Sequence, residues 1–220
     1  ELSDESKSKI DSCRRYLEKK IAEPGSRYYG INTGFGALCD VEIPNDQLEQ
    51  LQENLVMSHA CGMGDEVKTE VVKLMMLLKI KGLAQGHSGV TVETVEKLAQ
   101  LFNADVLPVI WEVGSLGASG DLAPLAHLTL PLIGMGSVRH KGEKKSSDTA
   151  LRELKISPIK LKAKEGLALL NGTQFMSAWG CYSLIEAERV QKLADFTAAV
   201  SVDAFDAQTN PFHPAIQRVR

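Results

Sequence analysis

The sequence is poor in the patterns that mark metal, redox and nucleotide chemistry. Its four cysteines, Cys13, Cys39, Cys61 and Cys181, stand far apart, with neither C-x-x-C nor H-E-x-x-H. That excludes a zinc site or a thioredoxin-type pair read from spacing, and predicts free, buried thiols. Lys and Arg are spread along the chain and the net charge is only -3, so neither nucleic acid nor a membrane surface is an indicated partner and small-molecule chemistry fits better. No apolar segment with a charged flank and a small-residue cleavage site opens the chain, which predicts a cytoplasmic protein. The most apolar run, Val71 to Ile80, is interrupted by Lys73 and Lys79 and is too short and too charged to span a bilayer. Asn171-Gly172-Thr173 has the form of a glycosylation acceptor, but without a secretory signal that reading is weak. Internal repeats and low-complexity tracts are absent. At 220 residues and 44% hydrophobic, the chain can bury a substantial core in one or two domains.

Helical periodicity dominates what is present. Ile10, Cys13, Leu17 and Ile21 recur at helical spacing behind a cap at Ser3, and Pro24-Gly25 ends the run. Tyr28 to Asp40 carries Gly30, Asn32, Gly34 and Gly36 and reads as a loop. Asn45 caps a helix in which Leu48, Leu51, Leu55 and His59 share a face, closed by Gly62-Met63-Gly64. Asp65 to Gln85 reads as a helix apolar nearly all round at Val71 to Leu78, hence central. Thr91 caps another that ends before Pro108. Leu122 to Leu132 is a buried helical segment and Val138 to Ser147 a small hairpin or exposed excursion. A long helix begins at Leu167 and is ended by Pro211 and Pro214.

The most informative segment is Gly114-Ser115-Leu116-Gly117-Ala118-Ser119-Gly120-Asp121-Leu122-Ala123-Pro124-Leu125-Ala126-His127. Its glycines do not make G-x-G-x-x-G, it has no Walker lysine, and Asp121 occupies the last position of a would-be G-x-S-x-G elbow, so dinucleotide, phosphate and serine-hydrolase readings each lack a residue. Ala-Ser-Gly is a common tripeptide and most often a plain loop. It can also become an electrophile. If the amide nitrogen of Gly120 bonds to the carbonyl carbon of Ala118 and two waters leave, the product is a 4-methylidene-imidazol-5-one ring. Gly120 brings an amide with no Cβ to block the approach, Ser119 the hydroxyl whose loss makes the methylidene, and Ala118 a small side chain. Ordinary side chains are nucleophiles, acids or bases, so an electrophile must be borrowed or built.

This segment, together with Tyr28-Tyr29-Gly30-Ile31-Asn32-Thr33-Gly34-Phe35-Gly36, Ser58-His59-Ala60-Cys61-Gly62 and Leu169-Leu170-Asn171-Gly172-Thr173-Gln174, resembles the aromatic amino acid ammonia-lyases, and most closely their histidine-selective members. The likeness covers about the N-terminal half of a usual family subunit. It implies a mainly α fold, a long-helix bundle of the ammonia-lyase (fumarase/aspartase-like) type with a small N-terminal loop-rich region. Residues 1–135 would form a helical region bearing the tripeptide, 136–150 the hairpin or excursion, and 151–220 the start of the central bundle, whose apolar faces stay exposed if the chain is alone. The implied reaction removes ammonia from L-histidine to give trans-urocanate in a homotetramer with shared sites. Its cofactor would be the ring made from Ala118, Ser119 and Gly120, with no external cofactor and no metal.

The resemblance also assigns roles. Tyr29 is the candidate base for the β-proton. A free phenol titrates near about 10, so its surroundings must favour the anion; alternatively Tyr29, or Tyr28, is an amphipathic packing residue. His59 binds the substrate imidazole, or is a core histidine satisfied by a backbone carbonyl. Asn171 holds the ring oxygen or the substrate amine, or caps a helix. Asp121 polarises the loop during closure or, more simply, caps the helix at Leu122, and is left outside the catalytic set. The family's substrate-carboxylate arginine, second tyrosine, glutamate and glutamine have no counterparts in these residues. Two rival readings remain: a tyrosine or phenylalanine ammonia-lyase or aminomutase, and a non-catalytic oligomerising fragment or homologue.

Overall fold

The computed structural model describes residues 1–220 except Pro24, Ser26, Ser119 and Arg220, and Asn45 by its backbone alone. The chain forms two compact units, Glu1–Trp179 and Gly180–Arg220.

In the first unit helices dominate, as expected. Helix α1 (Asp4–Ile21) starts at Ser3, whose side chain accepts from the Ser6 amide, so the sequence cap is realised. Helix α2 (Leu48–His59) starts after Gln47 and not after Asn45, because Asn45–Gln47 form a 3-10 turn first. Helix α3 (Thr69–Leu83) is shorter than expected. The residues before it are a strand, β1 (Met63–Glu66), paired antiparallel with β3 (Trp111–Val113). Nor is α3 apolar to its neighbours all round: Lys73, Leu77 and Lys81 form an exposed stripe. Helix α4 (Val92–Asn103) is capped by Thr91, which accepts from the Thr94 amide.

Helix α5 (Leu122–Thr129) runs into a 3-10 turn, Leu130–Ile133, at Pro131, which has no amide to continue the α pattern. The expected hairpin is β4 (Ser137–His140) with β5 (Glu143–Ser146), turning at Lys141 and Gly142, whose φ values of 53° and 82° match the twist of the strands. A third strand, β2 (Leu107–Pro108), adds to β4. The short helix α6 (Ser147–Glu153), capped by Ser146, follows.

The expected long helix from Leu167 is two helices. Helix α7 (Glu165–Leu170) ends at Asn171, whose extended backbone breaks the ladder, and α8 (Gln174–Ala204) begins after the turn. Residues through Trp179 belong to the first unit. Helix α2 packs on α5 and α7, α5 on α7, and α3 on α4. Met75, Met76, Leu98, Leu101, Leu125, Leu128, Leu169 and Leu170 are all at 1% exposure or less, each stabilising by roughly 1.5–3 kcal/mol. Two buried charges fasten this core. Arg14 donates to the carbonyls of Gly89 and Ala163, and Glu165 accepts from the Thr91 amide, both Thr hydroxyls of α4's first turn and the Lys162 amide.

In the second unit α8 ends at Ala204, before Pro211, and Asp206 takes a left-handed φ of 47°. A 3-10 turn at Asn210–Phe212 and the short helix α9 (Pro214–Gln217) follow. Leu184, Val190, Leu193, Phe196 and Val200 are exposed along α8. The cysteines correct the expectation of buried thiols: Cys39, Cys61 and Cys181 are exposed and Cys13 is half-buried, all unpaired.

Candidate active site

The tripeptide loop hangs between β3 and α5, and its glycines let it fold onto two other segments. Gly114 has φ +148°, and a Cβ there would lie 3.2 Å from the Gly62 Cα, so the Ser58–Gly62 segment and the loop touch backbone to backbone. Gly120 has φ +106°, and its Cβ would lie 2.8 Å from the Gly172 carbonyl and 3.0 Å from Asn171 Oδ1. At Gly120 a side chain would force the turn aside, and at Gly114 it would press on Gly62 and meet a backbone conformation that side chains rarely adopt.

Polar contacts fix the same junctions. The Asp121 amide donates to the Gly172 carbonyl at 2.7 Å. Asp121 is buried at 1% exposure, and its carboxylate accepts from Ser115 Oγ at 2.8 Å and from the Met176 amide at 3.0 Å. It stands at the N-cap position of α5 but makes no cap bond to that helix, which corrects the simpler role expected for it. The carboxylate instead clamps the loop's first half to the first turn of α8, where open amides favour negative charge. On the other side the Gly62 amide donates to His127 Nε2 at 3.0 Å. His127 Nε2 therefore carries no proton, and burial also pushes this imidazole below its usual range.

His59, Cys61, Gly114, Leu116, Ala118, Gly120, Leu122 and Ala123 line a cavity of about 230 Å³. His59 is half-buried. Its Nδ1 lies 2.8 Å from the Leu55 carbonyl and 3.2 Å from Ser58 Oγ. A carbonyl only accepts, so Nδ1 holds a proton, and in the neutral ring Nε2 is the acceptor. The packing alternative thus describes one ring nitrogen, and the cavity position leaves the other available.

The structure brings His59, Ala118, Gly120 and Asn171 together; Ser119 lies outside the described residues. Asn171 is exposed and ends α7 rather than opening a helix. Tyr29 is 58% exposed and is not among the described residues that line the cavity. Its ring meets Phe35 edge-on at 5.7 Å and its hydroxyl accepts from the Gly36 amide at 3.4 Å, within its own loop.

Sequence reasoning gave no role to three residues at these junctions. His127 closes the central motif and could have been found there. Gln174 closes the fourth segment: its side chain lies over Gly172, and its Oε1 is buried without a hydrogen-bond partner among the described residues. Lys79 left the clearest signal, a cation inside the most apolar run. It is 2% exposed and its Nζ donates to the carbonyls of Ala168 and Asn171. Lys73, from the same run, pairs with Asp105 at the surface.

The sequence model of the family described as aromatic amino acid lyase matches residues 1–220. Histidine ammonia-lyase of Caldanaerobacter subterraneus subsp. tengcongensis is 47% identical over 219 residues, which takes in 100% of this chain and 43% of that protein. Among solved structures, histidine ammonia-lyase from Trypanosoma cruzi matches with a TM-score of 0.91 at 40% identity, over 100% of this chain and 43% of that one. Phenylalanine aminomutase of Pantoea agglomerans matches with a TM-score of 0.93 at 33% identity, over 100% of this chain and 42% of that one. The chain spans less than half the length of these relatives, and its helical fold is theirs.

Proposed function

Since the chain belongs to the aromatic amino acid lyase family, we propose that its protein eliminates ammonia from L-histidine to give trans-urocanate, using a 4-methylidene-imidazol-5-one ring closed from Ala118, Ser119 and Gly120. The observation that carries the proposal is the seat of Gly120: a positive-φ residue without room for a Cβ, pressed on Asn171 and Gly172 beside the His59 cavity. Such docking fixes the Gly120 end of the tripeptide, and a reacting group held in place favours attack by its amide on Ala118 over hydration of an open loop. The residues present therefore suit the ring. Once closed, it supplies an electrophilic carbon for the substrate amine, which an amino acid side chain cannot offer.

Three groups of this chain take part beside it. His59 Nε2 accepts an N–H from the substrate imidazole, a bond that phenylalanine cannot make. Asn171, with both a donor and an acceptor, holds the ring oxygen or the substrate amine. Tyr29, which lies away from this chain's own cavity, would take the β-proton in a site shared with another copy of the chain, and the amide of Gly36 that already donates to its hydroxyl would stabilise charge there. The exposed apolar residues of α8 support a homotetramer with shared sites, and the absence among the described residues of any helix long and apolar enough to cross a membrane is compatible with work in the cytoplasm.

The test is the intact mass of the denatured full-length protein followed by assay with L-histidine. The parent should weigh less than its sequence by two waters, and Ser119→Ala should remove that deficit together with the ultraviolet absorbance of urocanate. A full-length parent of unshifted mass would refute the ring; one that has the ring but acts faster on phenylalanine or tyrosine would move the protein to the other substrate class.

A further inference from the structure

Lys79 sits in the body of α3 at 2% exposure, whereas Lys73 and Lys81 of the same helix face solvent. Burying an amine is unfavourable unless its N–H groups find partners. Lys79 directs them at one short stretch, the Ala168 carbonyl at 2.8 Å and the Asn171 carbonyl at 3.2 Å. These belong to the end of α7, where carbonyls have no partner within the helix. Burial pushes the amine down to about 7, so the surroundings oppose its charge, yet a neutral amine still has the N–H groups both carbonyls need. Methionine would fill the same volume at less desolvation cost. What it could not do is hold the turn.

That turn carries the candidate site. The Gly172 carbonyl accepts from the Asp121 amide, directly after the tripeptide, and Asn171 Oδ1 touches the place where Gly120 lacks a Cβ. We propose that Lys79 is a positioning residue: it fixes the Asn171–Gly172 turn from beneath, and thereby sets where Asn171 and the docked Gly120 stand, without itself touching substrate or ring. The consequence for turnover rests on the lyase reading above; the consequence for the turn does not.

The experiment compares full-length parent, Lys79→Met, Lys79→Gln and Leu151→Ala, the last a core change in α6 that serves as a stability-matched control. Three quantities are read: hydrogen exchange of the Asp121 and Met176 amides, the fraction of chains lighter by two waters, and kcat and KM for L-histidine. Lys79→Met should speed exchange at both amides by about tenfold and lower kcat by about tenfold or more with KM within about twofold, the size of effect a small misplacement produces. Lys79→Gln, which keeps donors on a shorter side chain, should fall between it and the parent. Leu151→Ala should change none of the three beyond its general loss of stability. If Lys79→Met matches Leu151→Ala at equal loss of Tm, Lys79 is only a core residue and the proposal is overturned. If Lys79→Met fails to fold, Lys79→Gln decides by the same comparison. A parent with neither ring nor turnover sinks the lyase reading, while the exchange rates still decide the role of Lys79.

Discussion

Replacing Gly120 by alanine should destabilise the chain by about 2–4 kcal/mol and stop ring closure. The backbone there has φ +106°, and the new Cβ would lie 2.8 Å from the Gly172 carbonyl oxygen and 3.0 Å from the Gly172 nitrogen and Asn171 Oδ1. Two of those three atoms are backbone, so no rotamer change relieves the contact. The loop can only lift away. Lifting breaks the Asp121 amide bond to Gly172, worth about 0.5–1.5 kcal/mol, and the charge-assisted bond from the Met176 amide to Asp121, worth about 1.5–3 kcal/mol. Their sum caps the loss, because undocking relaxes both the clash and the φ strain. For a chain of this size each kcal/mol lowers Tm by about 2–4 °C, so calorimetry should find a drop of roughly 5–15 °C, and intact mass should find no loss of water. Gly117→Ala is the internal control: φ there is +70° with nothing among the described residues within 4 Å of the added Cβ, so only about 1–2 kcal/mol of strain is expected and the ring should still form. A Gly120→Ala protein that melts within about 1 °C of the parent and has lost both waters would refute the docking argument.

Three further outcomes follow from the same geometry. Glu165→Ala strands the donors of Thr91, Thr94 and Lys162 and should cost about 3–5 kcal/mol by urea unfolding, at roughly 1 kcal/mol per bond; a loss below about 1 kcal/mol would show the hub to be replaceable by water. His127 has its folded pKa lowered by burial, so the unfolded chain takes up protons first as pH falls. The stability it lends is fully present above about 6.5 and lost as pH drops through the lower folded value. His127→Gln, whose carbonyl can still accept from Gly62, should flatten that part of the stability profile, and an unchanged profile would remove His127 from the account. His59→Leu in the full-length protein should cut kcat/KM for histidine by about tenfold or more, as expected when a buried polar group of the substrate is left unpaired, while leaving the two-water mass deficit intact; undiminished selectivity would return His59 to a packing role.

Much of this was legible because it is local. A serine or threonine before a periodic apolar run fixes where a helix starts, as at Ser3 and Thr91, and a Lys-Gly pair at left-handed φ fixes a hairpin. The four motif segments and the tripeptide could be read because the chemistry of Ala118, Ser119 and Gly120 depends on residue type and order. What periodicity mistook was decided by partners distant in sequence. Met63–Glu66 is a strand since Trp111–Val113 lies beside it. The helix from Leu167 breaks at Asn171 where Lys79 and the tripeptide loop take up the turn's carbonyls. Asp121 looked like a helix cap, and only the approach of Ser115 and Met176 makes it a clamp. The sequence by itself determined which groups are available and the helical class that carries them. Tertiary structure alone decided which donor meets which acceptor, because in a low-dielectric interior a buried amine such as that of Lys79 settles where its hydrogen bonds can be met, and that place is set by packing between segments far apart in the chain.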